Sequence, residues 1–365
     1  MNEIATALSA LCTKARKAYR QLANSSHEQR NQALRESANT IRETQQYLLK
    51  ANAADVAAAT ERGLSAAMLD RLTLDETRIE AMAAGLEAIA QLPDPLATQL
   101  DSWSRPNGLQ IKKLPVPLGV IGVIFEARPN VTADAAALCL KSGNAVLLRG
   151  GSDSFYSSQA IADCIKQGIK AAGLNEHAVQ LVPSVNRDWV VAMLQAYGKI
   201  DVIIPRGGKS LTQLVANESR VASLLHLDGN CHSYLHEQAD TTKSIAIITN
   251  AKMRRTGICG ATESVLIDEA IATETLPALC DALLNAGCKE IRGCDKAQTI
   301  DTRIAIAEAE DWAQEYLAPI LSVKIVPSIA EAITHINHYG SHHTDAIFTQ
   351  DDAAAQQFTR QVDSA

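Results

Sequence analysis

Residues 116–154 read VPLGVIGVIFEARPNVTADAAALCLKSGNAVLLRGGSDS. Two apolar runs, GVIGVIF (119–125) and AVLLR (145–149), are too short for helices and rich in branched residues, so they are predicted to be strands. Between them TADAAALCLKSG carries apolar residues at helical spacing. Strands that are apolar on both faces need cover on both faces, which is the condition of a parallel sheet wrapped by helices. The alternation continues with AVQLV (178–182), a helix near DWVVAMLQAYG, DVIIP (201–205), a helix over GGKSLTQLVANES, and VASLLH (221–226) as a further strand. The fold class expected is α/β, with a doubly wound parallel sheet.

On the N-terminal side, residues 1–93 read as all-helical. Ser25 and Ser26 precede HEQRNQALRESANTIRE as caps, and Pro93-Asp94-Pro95 breaks the pattern. WSRPNGLQIKKLPVPLG then places Asn107-Gly108 between two short extended pieces, a hairpin signal. This segment is expected to protrude as an arm. On the C-terminal side a second α/β unit is predicted. It has helices over DTTKSIAIITNAKM, ATETLPALCDALLNAG, SIAEAITHINH and DDAAAQQFTRQV. Its strands are ESVLID, LSVKIV (321–326) and DAIFT (345–349), with KEIRGC as an edge piece.

A chain of 365 residues exceeds one ordinary core, so two or more domains are expected. A net charge of −7 argues against a nucleic-acid partner, which leaves a basic footprint. No run of eighteen apolar residues calls for a membrane span, and the charge order of the N-terminal helix is wrong for a secretory signal, so a cytoplasmic protein is expected. The eight cysteines are scattered without a C-x-x-C pair, which speaks against structural zinc and dithiol chemistry. His335, His338, His342 and His343 lack the spaced partners of a metal site, so no metal is expected.

Two turns at strand ends invite a nucleotide: Arg149-Gly150-Gly151-Ser152 and Arg206-Gly207-Gly208-Lys209. Glycine there lets backbone approach a phosphate at the next helix N-terminus; the alternative is two tight turns. A base such as Arg149 suits the 2′-phosphate of NADP. One cysteine also stands apart. In RRTGICGATES (254–264), Cys259 lies in a predicted loop between Gly257 and Gly260. It is either a packed thiol or a nucleophile given room by glycine. Lys252, Arg254 and Arg255 nearby either bind substrate anions or are solvated charges at a helix end.

The segments quoted, together with NAKMRRTGICGATESVLID and HHTDAIFTQD, resemble the γ-glutamyl phosphate reductase family within the aldehyde dehydrogenase superfamily, over essentially the whole chain. The resemblance implies an NADPH-binding domain (1–101 and 119–230), a β-hairpin oligomerisation arm (102–118) and a catalytic domain (231–365). It implies reduction of L-glutamyl 5-phosphate to the semialdehyde through a cysteine thioester, a homo-oligomer, and functional pairing with glutamate 5-kinase. Cys259 matches the nucleophile. Asn130 matches an oxyanion contact, Arg149 a base near the adenosine ribose, and Gly207 and Gly208 the pyrophosphate turn. Glu315, in QEYLAP, matches the acid that holds the nicotinamide ribose, although Ala318 replaces the motif's glycine. In HLDGN, His226 stands where oxidising relatives carry a water-activating glutamate, which favours acyl-phosphate chemistry over a general aldehyde dehydrogenase. The family continues past VDSA, so the chain is expected to lack a C-terminal segment, with a nucleotide-binding but incompetent form as the alternative.

Overall fold

The computed structural model describes every residue except Met1, Thr98, Gln99, Ala127, His226 and Leu227. The chain divides into two units, Met1–His226 and Leu227–Ala365.

The first unit opens with five helices, α1 (Asn2–Leu22), α2 (His27–Glu43), α3 (Gln45–Glu61), α4 (Ala66–Leu72) and α5 (Glu76–Gln91). Ser26 caps α2 by accepting the N–H of Gln29, and α5 stops just ahead of Pro93. Strands β1 (Asp101–Ser104) and β2 (Gln110–Lys113) pair antiparallel. Asn107-Gly108 sits in their connecting loop, where Gly108 adopts φ +84°. Then come β3 (Val120–Phe125), α6 (Val131–Lys141), β4 (Ala145–Arg149), α7 (Phe155–Ala171), β5 (Val179–Leu181), α8 (Asp188–Leu194), β6 (Val202–Arg206) and α9 (Lys209–Glu218).

The four strands run parallel in the order β5-β4-β3-β6. Side chains alternate across this sheet. Ile121, Val123, Phe125, Val146 and Leu148 pack with Leu34, Leu86, Leu140 and Ile161 on one face. Ile124, Leu147 and Ile203 pack with Leu8, Trp189, Met193 and Val215 on the other. Each fully buried aliphatic side chain contributes roughly 1.5–3 kcal/mol, so the sheet is the stable frame on which the strand-end turns sit. The chain leaves β3 toward β4 on one side and later returns to β6 on the other. The crevice between the carboxyl ends of β3 and β6 is therefore the switch point at which such sheets bind ligands. Of the strand expected over 221–226, the described residues 221–225 form only an isolated parallel bridge, Ser223 to Ile203.

The second unit holds β7 (Cys231–Leu235), α10 (Thr241–Met253), β8 (Thr262–Asp268), α11 (Glu269–Asn285), β9 (Glu290–Gly293), α12 (Asp295–Ile300), β10 (Ala305–Ile306), β11 (Ile320–Val326), α13 (Ile329–Tyr339), β12 (Ala346–Phe348) and α14 (Asp352–Gln361). Its six strands are parallel in the order β10-β9-β11-β8-β7-β12. The segment expected as an edge piece, β9, is instead inside the sheet, flanked by the two-residue β10. Strand β7 has no apolar pattern, yet all of it is buried. Its polar groups find partners there: His232 with Asp345 at 2.9 Å, Ser233 with Thr262 at 3.0 Å and Tyr234 with Asp268 at 3.1 Å.

Candidate active site

Cys259 lies on the loop between α10 and β8, closed by a bond from the Ala261 N–H to the Ile258 carbonyl at 3.1 Å. It is half-buried, whereas Cys12, Cys139, Cys164, Cys231, Cys280 and Cys288 are buried. Burial pushes the thiols of Cys139, Cys231 and Cys280 up to about 12, which disables them as nucleophiles at neutral pH. The two sides of the Cys259 loop differ. On one side a Cβ at Gly229 would stand 1.8 Å from the Cys259 carbonyl oxygen, so only glycine fits against it. The same oxygen accepts the Cys231 thiol at 3.1 Å. On the other side a Cβ at Gly260 would meet nothing within 4 Å. The Cys259 carbonyl is thus closely packed, while the next position, Gly260, is open.

Gly229 is itself held. Its N–H donates to Glu315 Oε1 at 3.0 Å. The neighbouring Asn230 donates from Nδ2 to the carbonyls of Trp312 and Tyr339, both at 2.9 Å, and from its backbone to Ser341 Oγ at 2.9 Å. Glu315, expected from the sequence as a cofactor contact, here fixes the segment behind Cys259. His226, read as the replacement for a water-activating glutamate, lies outside the described residues.

The basic residues near Cys259 separate into two kinds. Arg254 and Arg255 are exposed. Lys252 is fully buried, and its Nζ lies 2.5 Å from Glu263 Oε2, also fully buried. This corrects the expectation that Lys252 binds substrate: an ammonium already matched by a buried carboxylate is not available to a second anion. Burial raises the Glu263 carboxyl to about 7, opposed by Lys252 and by the backbone N–H groups of Leu317 and Tyr316. Glu263 was not singled out from the sequence. An acid four residues beyond Cys259, just ahead of the apolar run Val265-Leu266-Ile267, was the available signal.

In the first unit the two glycine turns also differ. At the end of β6, the N–H of Gly208 donates to Glu126 Oε2 at 2.9 Å, and α9 has no side-chain cap of its own. A Cβ at Gly207 would fall 2.7 Å from the same carboxylate. An anionic oxygen is therefore accepted at this helix start, on the switch-point side of the sheet. Arg206 is exposed beside it. At the end of β4, the turn Gly150-Gly151-Ser152 leads to a helix start already filled: Asp55 accepts the N–H groups of Tyr156 and Ser157 at 3.2 and 2.7 Å. The Arg149 guanidinium is buried and donates to the carbonyls of Gly150 and Val185 at 2.9 and 2.8 Å. These two observations correct the equal treatment of the turns: the cradle after β4 is occupied from within, and Arg149 braces the 185–186 segment. Asn130 is exposed and donates its amide to Asp134 at 3.0 Å. Among the described residues, no group of three or more His, Cys, Asp or Glu is arranged to hold a metal, and no helix is long and apolar enough to cross a membrane.

Residues 3–290 match the model of the aldehyde dehydrogenase family. Over 355 residues the chain is 53% identical to the γ-glutamyl phosphate reductase of Erythrobacter litoralis, an alignment covering 97% of this chain and 84% of that one. The chain belongs to the γ-glutamyl phosphate reductase family. A further member, from Paramagnetospirillum magneticum, is 52% identical, with 99% of this chain and 86% of the relative covered. A crystal structure of the γ-glutamyl phosphate reductase of Thermotoga maritima superposes with a TM-score of 0.95 at 37% identity, covering 97% of this chain and 86% of that chain. Membership of this reductase family fixes the aldehyde dehydrogenase-like fold and implies a nicotinamide cofactor. Within the family frame, the carboxylate-occupied start of α9 and the half-buried Cys259 are the two features whose chemistry needs a reaction.

Proposed function

We propose that this chain reduces L-glutamyl 5-phosphate to L-glutamate 5-semialdehyde with release of phosphate, in proline biosynthesis, and that Cys259 carries the acyl group as a thioester. The observation that carries this reading is the presentation of Cys259: half-buried, packed from behind by Gly229 and Cys231, and open at Gly260. The Cys259 sulfur attacks the acyl carbon, the carbon–oxygen bond to phosphate breaks, and phosphate leaves with the electron pair. Backbone N–H groups of residues 257–260 and the amide of Asn130 are assigned to the oxyanion. Arg254 and Arg255 are assigned to the substrate's anionic groups. When the tetrahedral thiohemiacetal collapses, the aldehyde leaves and the Cys259 thiolate is restored.

The residues present fit a dinucleotide, because the start of α9 already accepts a carboxylate oxygen at the Gly208 N–H. Gly207, Gly208 and Arg206 would hold the pyrophosphate once Glu126 turns aside, and Glu315 the nicotinamide ribose. NADPH, the reductant we assign, supplies when bound the hydride that reduces the thioester. The exposed Trp103, Leu109, Leu114 and Val116 along the arm support a homo-oligomer. We place the enzyme in the cytoplasm, downstream of glutamate 5-kinase.

The reverse reaction tests the reading. Glutamate 5-semialdehyde, phosphate and NADP are mixed with the protein, and NADPH absorbance is followed beside Cys259→Ala and beside NAD in place of NADP. Phosphate-dependent formation that vanishes in the variant is expected. Turnover indifferent to phosphate would mean a hydrolytic dehydrogenase instead.

A further inference from the structure

Lys252 is the penultimate residue of α10, and Glu263 the second residue of β8. Between them lies the whole loop that carries Cys259. Both side chains are fully buried and meet at 2.5 Å. Removing two charges from water is expensive, and a buried pair is weak evidence for stability by itself. A pair that joins the two stems of one functional loop calls for another role.

The contacts continue beyond the pair. Glu263 Oε1 accepts the N–H of Leu317 at 3.4 Å, and Lys252 Nζ lies 5.9 Å from the centre of the Tyr316 ring. Leu317 holds φ at +51°, a conformation that a leucine adopts only when its surroundings impose it. Two residues earlier, Glu315 accepts the N–H of Gly229, whose Cα presses on the Cys259 carbonyl. The chain of contacts therefore closes on itself: Lys252, Glu263, the 315–317 segment, Gly229, Cys259, and back along the loop to Lys252.

We propose that Lys252 and Glu263 are positioning residues for the reaction, a buried tie that sets where the Cys259 loop stands relative to the segment behind it. The inference rests on the Cys259 mechanism above. Neither side chain touches the reacting atoms. Glu263 acts through Leu317 and Glu315, and Lys252 through the α10 end of the loop. The tie fixes the carbonyl of Cys259 from behind, so the thiol in front keeps one orientation toward the acyl carbon.

The test uses the double variant Lys252→Met/Glu263→Gln beside the single variants. Each single change strands a buried charge or its partner and is at risk of unfolding. The double change removes both charges, and glutamine keeps an oxygen for the Leu317 N–H, so only the tie is lost. Two readouts are taken: hydrogen exchange of the peptide covering 254–261, and kcat and KM in the semialdehyde assay. The expected result is faster exchange confined to 254–261 and 313–317, with kcat lowered about tenfold or more and KM unchanged. A double variant with wild-type exchange and wild-type kcat overturns the proposal. Loss of protection with kcat intact also overturns it, since the tie would then order the loop without serving the thiol. If the wild-type protein shows no phosphate-dependent turnover, the mechanism fails rather than the tie, and exchange alone still reports whether the pair holds the loop.

Discussion

The α carbon of Gly229 lies against the carbonyl of Cys259, so close that a Cβ at position 229 would stand 1.8 Å from the oxygen. The atoms it would meet are backbone, which cannot swing aside as the end of a side chain can. Gly229→Ala must therefore move the loop that carries Cys259. Overpacking of this kind costs about 1–3 kcal/mol, and a displacement of about 1 Å at the reacting atom costs about 100-fold in rate. Denaturant melts and kcat of the variant check both figures. A variant with wild-type kcat would show that the loop can shift without consequence.

Thiol accessibility gives a second expectation. Iodoacetamide applied to the native protein should modify Cys259 and leave Cys12, Cys139, Cys164, Cys231, Cys280 and Cys288 unmodified, because those six are buried. Peptide mass spectrometry after a time course reads this directly. Cys294, also half-buried, holds the Ile325 N–H at 3.4 Å and serves as the internal comparison.

Glu126 already fills the start of α9 with a carboxylate. If the cofactor's pyrophosphate takes the same N–H, Glu126 competes with it. A competitor that occupies the site about nine-tenths of the time weakens apparent affinity about tenfold. Glu126→Ala should then bind NADPH more tightly, by up to about tenfold, in a fluorescence titration without substrate. Weaker binding would mean that Glu126 helps to hold the cofactor.

The acid side of the stability curve offers a fourth expectation, at Asp301. The Arg303 guanidinium, donating to it at 2.6 Å, holds the Asp301 carboxyl below the usual carboxylate range. A folded-state value below the unfolded one, about 3.9, gives stability that is present above about pH 4 and lost as pH falls through the folded value. The gap in Tm between wild type and Asp301→Asn should therefore be full at pH 7 and shrink below about pH 4. A gap that stays constant with pH would mean that the variant acts through packing alone.

The alternating sheets were legible because β3 and β4 are apolar on both faces, a pattern that few other environments explain. Strand β7 was not legible. Cys231, His232, Ser233 and Tyr234 look like loop residues until Asp345, Thr262 and Asp268, distant in sequence, supply their hydrogen bonds. The reverse error, the strand expected at 221–226, has a similar cause: VASLLH has strand composition, but among the described residues the pairing stops at one bridge to Ile203, made through the backbones of Ala222 and Leu224. Cys259 stood out because glycine on both sides is unusual for a packed thiol. Lys252 misled because charge near a nucleophile reads as substrate binding when its buried partner is eleven residues away. The two glycine turns looked equivalent in sequence, and Asp55, from a distant helix, separates them.

Gly229 and Gly260 flank the Cys259 peptide, and they leave unequal freedom for redesign. Position 229 has no room for any side chain, whereas position 260 faces open space with an ordinary backbone conformation. A series of small and large residues at position 260 would therefore leave the Cys259 carbonyl seated, whereas any side chain at position 229 would displace it.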